Sequence, residues 1–562
     1  MIEELRSAGD QLRAAWDTYC LVYSNLKGCD MEIKSPHAHG FPPELTRQLD
    51  IELSFLSAYK TKIKRVQAAI GRARNYLSGV APINNLPPEI ITRILHLVRE
   101  SPCSLHRRNI SKSYETQHSS YPSYLAQTCA LWRNSAVSSS SLWRHIDLSP
   151  YQSDSCGLVA RAETYLERAG GLLIELHIAG NEDHRLERPD QDYDNLYELV
   201  SRISSRVETL ELVVTKDSQW FFCTALRQLL LGPHLRLTKL VIRATNNYCD
   251  TFISAEDAHS DRDDSDSELD GSDDELRDFR LNLTEAQIEG SFTPLTTVHL
   301  YGIFPAWSSA AYSGLVDLRL MSTLRWSHIK EAELATILKS SPTLQILHFG
   351  LDIYDPKPDT NAVTPVNLQD LQVVKIYTEN SQGLCQRHAL RFLLRLLAPG
   401  SKPLRLSIRG HFQPGAILGM EMERFFARSK VDRFYTQVLF PPISLLLRQA
   451  VYLEQVVLDN FRCYDWDEIP STWLGADGLA LLPRLRSLHI ARSYLLKDRL
   501  HLLVEYCPTG IVVYSCDVHH KVGVQISQLT PEELLETFPT VKMVDCNPYL
   551  SEDPTADWDI LD

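Results

Sequence analysis

Several features are missing from this sequence of 562 residues, and each absence excludes a class of protein. No run of about 18 apolar residues occurs, so no membrane-spanning helix is predicted. The first residues, MIEELRSAGD, lack the apolar stretch of a secretory signal, which favours the cytoplasm, the nucleus or both. Basic residues do not dominate, because the formal net charge is −14. We therefore expect neither a membrane partner nor a nucleic-acid partner.

Motifs of catalysis and metal binding are also missing. The sequence contains no GxxxxGK[ST], GxGxxG, HExxH or GxSxG, and its 12 cysteines form no CxxC and are expected to be reduced. We expect no enzyme, no cofactor and no metal ion, although a catalytic site assembled from distant residues is an alternative. Two loose groups of metal-ligand residue types do not match a zinc spacing: Cys507, Cys516, His519 and His520, and Cys29, His37 and His39.

Two long helical patterns occupy the first 80 residues. Apolar residues recur at alternating steps of three and four between residues 2 and 26 and again between residues 44 and 77. That spacing is typical of a coiled-coil seam. We predict that the two helices fold back on each other as an antiparallel hairpin over residues 1–80. A homodimer through the second helix, or a clamp on the main body, is the alternative.

A short and very apolar helix is predicted after the hairpin, in the segment NNLPPEIITRILHLV at residues 84–98. Asn85 is suited to capping it, prolines are tolerated in a first helical turn, and Glu89 suits the positive end of the helix dipole. Its apolar residues cover more of the circumference than one neighbouring element would bury, so we expect another protein to cover part of it. Those residues are Ile90, Ile91, Ile94, Leu95 and Val98. We expect Ile91 and Val98 to pack within the chain.

A second amphipathic helix is predicted in SYLAQTCALWRNSAVSSS, after a polar loop at residues 101–123. Leu125, Cys129, Trp132 and Ala136 share one of its faces. The next residues, SLWRHIDLS, have apolar residues at even spacing and predict a short strand.

From about residue 158 a helical pattern leads into the predicted strand LLIELHI, and then one pattern recurs: an apolar residue, two variable ones, an apolar residue, a variable one and an apolar residue. Strands alternating with helices at such intervals predict a leucine-rich-repeat solenoid over residues 150–548. The asparagine or cysteine usual in such repeats is mostly missing, so we expect an irregular array; an ordinary α/β domain is the alternative. The copies are VETLEL, LTKLVI, LTTVHL, LVDLRL, LQILHF, LEQVVL and LRSLHI, starting at Val207, Leu237, Leu295, Leu315, Leu344, Leu453 and Leu485.

Two acidic segments are predicted to lack stable structure. Residues 256–278 contain twelve acidic and two basic side chains, which favours a disordered loop within the array. Ser265, Ser267 and Ser272 each precede an acid by three residues, as acid-directed kinases require, so we predict phosphorylation there; a simple solvated spacer is the alternative. The tail at residues 549–562 is predicted to be frayed.

Residues 82–148 resemble an F-box, in the F-box-like form common in fungal proteins. A preceding coiled coil and a following leucine-rich region are also familiar in that family. The polar loop of 23 residues between the two helices is longer than in many members. The resemblance lies in Leu86-Pro87-Pro88-Glu89, Ile90 and Ile94-Leu95, then Leu125, Cys129 and Trp132, and finally Leu142-Trp143.

The resemblance implies a function. F-box segments dock on the Skp-type adaptor of a cullin-based ubiquitin ligase, and the rest of the chain holds a protein substrate. It implies an α+β or α/β solenoid fold behind a helical F-box and no catalytic residues. A non-catalytic interaction scaffold that never meets a ligase is the alternative. The adaptor-binding residues implied by the family are Leu86, Pro87, Ile90, Ile94 and Leu95, supported or extended by Leu125, Cys129 and Trp132.

Overall fold

The computed structural model divides the chain into two compact units, one comprising Met1–Ile91 with Cys129–Leu131 and the other Thr92–Thr128 with Trp132–Asp562. Within the described ranges, no helix combines the length and the apolar content needed to cross a membrane. The acidic segment 256–278 with its three serines lies outside the described residues. The structure describes residues 2–29, 43–75, 82–98, 122–150, 152–180, 193–215, 218–232, 236–244, 251–255, 279–323, 327–358, 363–378, 387–410, 416–437, 450–460, 485–506, 510–522, 525–544 and 554–561.

The smaller unit is helical. It contains α1 (Ile2–Cys29), α2 (Pro43–Asn75), a 3-10 helix (Pro82–Asn85) and the start of α3 (Pro88–Val98). The two long helices predicted from the sequence are confirmed within three residues at each end. They meet where the Tyr19 hydroxyl donates a hydrogen bond to the Glu52 carboxylate, at 3.3 Å. Many seam residues stay exposed, including Leu12 and Ile63, so the homodimer remains a prediction.

The larger unit alternates helices and strands. Its helices are short and amphipathic: in α7, for example, Leu196, Leu199, Val200 and Ile203 are buried at a helical spacing. The helices in chain order are α4 (Ser123–Thr128), α5 (Ala130–Ser138), α6 (Gln152–Ala169), α7 (Asp194–Ile203), α8 (Gln219–Leu230), α9 (Glu285–Phe292), α10 (Glu331–Ser340), α11 (Arg387–Leu396), α12 (Ala416–Arg428), α13 (Lys497–Tyr506) and α14 (Pro531–Thr537).

Its strands are mostly three to six residues long. In chain order they are β1 (His145–Leu148), β2 (Ile174–Ala179), β3 (Val207–Val214), β4 (Lys239–Ala244), β5 (Thr251–Ser254), β6 (Phe279–Arg280), β7 (Thr297–Tyr301), β8 (Ile303–Pro305), β9 (Asp317–Met321), β10 (His328–Lys330), β11 (Ile346–Gly350), β12 (Asp352–Tyr354), β13 (Val366–Leu368), β14 (Val373–Tyr377), β15 (Leu397–Pro399), β16 (Leu404–Arg409), β17 (Val431–Thr436), β18 (Gln455–Asp459), β19 (Ser487–Ala491), β20 (Tyr494–Leu496), β21 (Ile511–Tyr514), β22 (Asp517–Val522), β23 (Gln525–Gln528) and β24 (Lys542–Val544).

One large parallel sheet dominates this unit and makes the fold a mixed α/β one. Its 14 described strands follow the order β1-β2-β3-β4-β7-β9-β11-β14-β16-β17-β18-β19-β21-β24. Chain order and spatial order are therefore the same, so each strand pairs with the strands that precede and follow it in this sheet. The remaining strands form small sheets: β6-β5-β8, β10-β12, β13-β15 and β20-β22-β23.

The two faces of the large sheet differ in chemistry because successive side chains of a strand point to opposite sides. One face is apolar and fully buried, and helices such as α6 and α8 contact strands β1 and β3. Aligned cross-strand neighbours of this face include Leu176, Leu210, Leu240, Val298, Leu318, Leu347, Val374 and Leu406. The other face carries polar and charged residues, and we call it the polar face.

The recurring sequence pattern correctly located strands of this sheet. All seven copies end in a sheet strand, and the strands predicted in SLWRHIDLS and LLIELHI are β1 and β2. The last predicted helix is α14, where Thr530 forms a capping box: the Glu533 N–H donates to the Thr530 hydroxyl at 3.3 Å. Strands β14, β16 and β17 were not predicted, and the tail is not frayed throughout, because residues 554–561 dock on the polar face.

Candidate functional sites at the start of α3 and on the polar face

The start of α3 is set by its prolines. The helix begins at Pro88, and the Pro87 carbonyl accepts hydrogen bonds from the Ile90 and Ile91 N–H groups, at 3.0 and 3.1 Å. Proline fits a first helical position because its missing N–H has no helical acceptor there. Asn85 belongs to the preceding 3-10 helix, so its predicted role as the cap of α3 is wrong.

The predicted docking residues of α3 differ in exposure. Pro87 is exposed and Ile90 is 48% exposed, whereas Leu86 and Ile94 are half-buried. Leu95 is 0% exposed. This corrects its placement on a docking surface, because its side chain lies inside and offers no area to a partner.

The two residues of α3 that were predicted to pack within the chain differ in burial. Ile91 is buried, as predicted. Val98 is exposed near the end of the helix, so the prediction that it packs internally is wrong.

The second predicted helix is two short helices, α4 and α5, with Cys129 between them. Leu125 is buried, and Cys129 and Trp132 are half-buried. The closing Trp143 is fully buried: its indole N–H donates to the Ala136 carbonyl at 2.7 Å, and the Arg168 guanidinium lies 4.1 Å from its ring centroid. Trp143 is therefore a core residue of the larger unit.

The polar face is organised as a continuous row of cross-strand neighbours. In each copy of the sequence pattern, the row residue is the variable one between the last two apolar residues. The row runs through Asp147, His177, Glu211, Val241, His299, Arg319, His348, Lys375, Ser407, Tyr435, Val457, His489 and Val512. Its first strands are rich in carboxylates and histidines, and its middle strands are rich in cations.

The first end of the polar face contains a histidine–carboxylate cluster that sequence spacing did not reveal. In the described residues, His145, Asp147 and His177 form one group whose ligand atoms all lie within 4.8 Å of one another. Two imidazoles and a carboxylate could hold a divalent cation such as zinc. The Asp147 carboxylate, however, also lies 3.5 Å from the Arg161 guanidinium, which opposes a metal ion through like charge. Since the three residues come from two strands, only the register of β1 with β2 brings them together.

The middle of the polar face contains a basic pocket, which we define as Arg319, His348, Lys375, Arg405 and Arg409. These side chains come from four adjacent strands, β9, β11, β14 and β16. The pocket is filled by residues 555–560, the tail segment, which includes a 3-10 helix (Ala556–Asp559).

The Asp559 carboxylate of the tail segment is the centre of the contacts in the pocket. It lies 2.8 Å from the Lys375 ammonium, 2.9 Å from the Arg319 guanidinium and 3.1 Å from His348 Nε2. Three nitrogen donors on adjacent strands thus converge on one carboxylate. Such charge-assisted contacts are the strong kind of hydrogen bond.

The protonation of the pocket follows from burial and charge. Burial lowers the pKa of His348 to about 4, and the positive charges of Arg319 and Lys375 act in the same direction, although the hydrogen bond to Asp559 opposes them. Burial alone would raise the pKa of Asp559, but His348, Lys375 and Arg319 outweigh it and hold that pKa well below its usual range. At neutral pH the pocket therefore contains an ionised Asp559 beside a neutral His348.

Backbone groups of the tail segment are also bound. The Arg405 guanidinium donates to the carbonyls of Trp558 and Ile560, at 2.8 and 2.7 Å. Lys375 donates to the Thr555 carbonyl at 2.8 Å, and Arg409 to the Thr555 hydroxyl at 2.8 Å. The segment is thereby fixed through its main chain as well as its carboxylate.

The Trp558 side chain occupies an apolar position next to the basic pocket. It is 1% exposed and clusters with Tyr435 and Val457 from β17 and β18. Burial raises the pKa of Tyr435 well above its ordinary value, and its hydroxyl donates to Asp459. One signal for this contact is present in the sequence, namely a lone Trp within an acidic tail.

Comparison with known proteins adds no family to this description. No family model matches the sequence, and no curated protein was found to match it. The function is therefore argued from the residues and contacts described above.

Proposed function

We propose that this protein is the substrate-recognition subunit of an SCF-type (Skp-cullin-F-box) ubiquitin ligase and has no catalytic role of its own. In this proposal, residues 82–148 are an F-box-like domain that docks on a Skp-type adaptor. Residues 150–548 are an irregular leucine-rich-repeat array that holds a target protein. A partner enzyme transfers ubiquitin to that target.

The observation that carries the proposal is the exposure pattern at the start of α3. Pro87 and Ile90, which are three residues apart, are both exposed to solvent, and the preceding Leu86 is half-buried. Consecutive prolines fix the backbone, so little conformational entropy is lost when a partner covers this turn. Complete burial of an isoleucine side chain contributes roughly 1.5 to 3 kcal/mol. A rigid apolar turn of this kind suits a groove in another protein.

The topology of the larger unit supports the second half of the proposal. Strands that pair in chain order, with helices between many of them, are what a repeat array requires, because each repeat then contacts only its neighbours. The polar face offers a long strip of charged side chains from successive strands. Such a strip is suited to holding a protein partner, with charge complementarity providing specificity.

Adaptor binding tests the proposal directly. We expect the full chain to bind a purified Skp-type adaptor. The double substitution Pro87→Ala with Ile90→Asp should raise the dissociation constant at least about 10-fold, since each 1.4 kcal/mol is a factor of ten. Both residues are exposed, so the change should leave the fold intact. Isothermal titration calorimetry of both proteins measures the difference.

A matched control lies on the same helix. Leu97 and Val98 are also exposed apolar residues of α3, at its other end, and Leu97→Asp with Val98→Ala should leave adaptor affinity unchanged. If the wild-type chain does not bind the adaptor, or if both pairs of substitutions act alike, the ligase proposal fails. The protein-interaction scaffold would then be the better interpretation.

A further inference from the structure

The basic pocket is built around an anion. The Lys375 side chain is only 3% exposed, its cross-strand neighbour in the row is His348, and Arg319 is the neighbour of His348 on the next strand. Neighbouring strands lie about 4.8 Å apart, so Arg319 and Lys375 are held two strand spacings apart, on either side of His348, and both reach the Asp559 carboxylate. The buried Lys375 charge requires a counter-ion, and the Asp559 carboxylate provides it, whereas the half-buried Arg319 is shared between Asp559 and Asp317, each at 2.9 Å.

We propose that the basic pocket with its neighbouring Tyr435–Val457 position is a binding site for peptides that contain an aromatic residue directly followed by an acidic residue, and that the tail segment occupies this site in cis as a competing ligand. The inference does not depend on adaptor docking, because it concerns a different part of the chain.

The chemistry of the ligand follows from the three kinds of contact. The carboxylate is required by the convergence of Arg319, His348 and Lys375 on Asp559. The preceding aromatic residue is required by the closed apolar position that Trp558 fills. The backbone around this pair is bound as a 3-10 turn in the tail segment.

Most of the remaining contacts are independent of the ligand's sequence. Arg405 binds two main-chain carbonyls, and Lys375 binds a third, so any peptide backbone offers the same acceptors. A peptide from another protein with an aromatic–acidic pair can therefore reproduce nearly all the bonds of the tail segment.

The tail segment is suited to being exchanged. It forms one short 3-10 turn against the face of the sheet, and it follows strand β24 by a connection of nine residues, 545–553. A segment that belongs to the same chain as its site competes at a high local concentration, on the order of millimolar for short linkers. A peptide in solution must compete with the tail segment, so the tail raises the peptide concentration that is needed to occupy the site.

The test uses the full chain and a labelled peptide with the sequence of residues 551–562, SEDPTADWDILD. Fluorescence anisotropy measures its binding to the wild-type chain and to a chain with Trp558→Ala and Asp559→Asn. We expect the substituted chain to bind the peptide at least about 10-fold more tightly, because its own tail no longer competes. Adding Lys375→Met to that chain should abolish the binding.

Two control peptides separate this site from simple charge attraction. The same peptide with Trp558→Ala and Asp559→Asn should not bind. A peptide of residues 263–274, DDSDSELDGSDD, carries more acidic groups and no aromatic residue, and it should bind at least about 10-fold more weakly. Equal binding of the acidic peptide, or equal affinity of the wild-type and substituted chains, overturns the proposal.

A measurement on the wild-type chain covers the case in which the substituted tail prevents folding. Hydrogen exchange followed by mass spectrometry should show faster exchange in residues 554–561 when the unlabelled peptide is present in millimolar excess. The substituted peptide should cause no such change. Unchanged exchange in that segment at saturating peptide also overturns the proposal.

Discussion

Arg395 and Glu331 form a bidentate ion pair inside the larger unit, with two N–O distances of 2.7 Å. Both side chains are almost completely buried, and the pair joins α11 to the first residue of α10. Glu331 also accepts the Lys357 N–H at 2.7 Å, and Arg395 donates to the Lys357 carbonyl at 3.0 Å. The pair therefore fixes two helices and a loop together.

Removing one partner of this pair should destabilise the protein strongly. Glu331→Gln leaves the Arg395 charge buried without its anion, and we expect a loss of about 3 to 5 kcal/mol in the free energy of unfolding. Urea unfolding followed by circular dichroism measures it. The exposed pair Glu163–Arg202, at 3.1 Å, provides the control, since Glu163→Gln should cost at most about 1 kcal/mol. Equal effects at the two positions would contradict this prediction.

Two glycines should respond in opposite ways to alanine. A Cβ at Gly510 would lie 1.9 Å from the Arg486 carbonyl oxygen, so Gly510→Ala must displace the backbone beside β21 and is expected to destabilise the protein by more than about 1 kcal/mol. A Cβ at Gly290 would meet nothing within 4 Å. Gly290→Ala should raise stability by about 0.5 to 1 kcal/mol, since alanine favours the interior of α9. Melting temperatures of the two variants check both signs.

Trp143 should be sensitive to the loss of the hydrogen bond that its indole N–H donates. Trp143→Phe keeps an aromatic ring in the core but removes the indole donor from the Ala136 carbonyl, which still accepts the Ser139 N–H at 3.3 Å, so we expect a loss of about 0.5 to 1.5 kcal/mol. Trp143→Ala should cost about 3 to 5 kcal/mol. Chemical unfolding compares these variants with Trp16→Phe, an exposed position in α1 where the change should be within about 0.5 kcal/mol. A neutral Trp143→Phe would show that the hydrogen bond is unimportant.

Stability should fall in mild acid because of His348. Its pKa is lowered to about 4 in the folded chain from an ordinary 6.5, so unfolding takes up a proton between these values. The contribution is complete above pH 6.5 and is lost as pH falls to about 4. At about 1.4 kcal/mol for each pKa unit, the loss is on the order of 3 kcal/mol. Asp559, whose pKa is also lowered, adds a further loss below pH 3.8.

Urea unfolding at a series of pH values tests this acid dependence. His348→Gln should make the profile shallower between pH 6.5 and 4. Part of the slope remains, because burial also lowers the pKa of His299 and of His489. His328→Gln, at a largely exposed histidine, is the control. Superimposable profiles for the wild-type chain and His348→Gln would show that another group governs the acid response.

Much of the large sheet could be predicted from the sequence because the apolar positions of the recurring pattern are the residues that become buried. In the copy at Leu295, the apolar residues Leu295, Val298 and Leu300 are all buried, and Val298 and Leu300 lie on the apolar face of β7. Strand β17, VDRFYT, was not predicted because it ends in Thr436, where the pattern requires an apolar residue. Strand β16 was not predicted because Pro403 stands at the first position of the pattern, where the other copies have an aliphatic residue.

The basic pocket could not be predicted from spacing. Arg319, His348 and Lys375 occupy equivalent places in three strands, yet only the cross-strand register makes them neighbours. Asp559 reaches them from a distant segment whose acidic composition favoured disorder. At the start of α3, by contrast, local rules were sufficient: prolines and periodic isoleucines located the helix, although Leu95 faces inward and Val98 outward.

A stack of strands in which each touches only its two neighbours unravels easily, since its central members have no long-distance tie to one another. Residues 555–560 change this, because their contacts extend from Arg319 in β9 to Val457 in β18, across six adjacent strands. The segment acts as a clasp over the centre of the stack. Opening the clasp should therefore divide one cooperative unfolding transition into separate steps, and whatever displaces the segment also loosens the surface on which it lay.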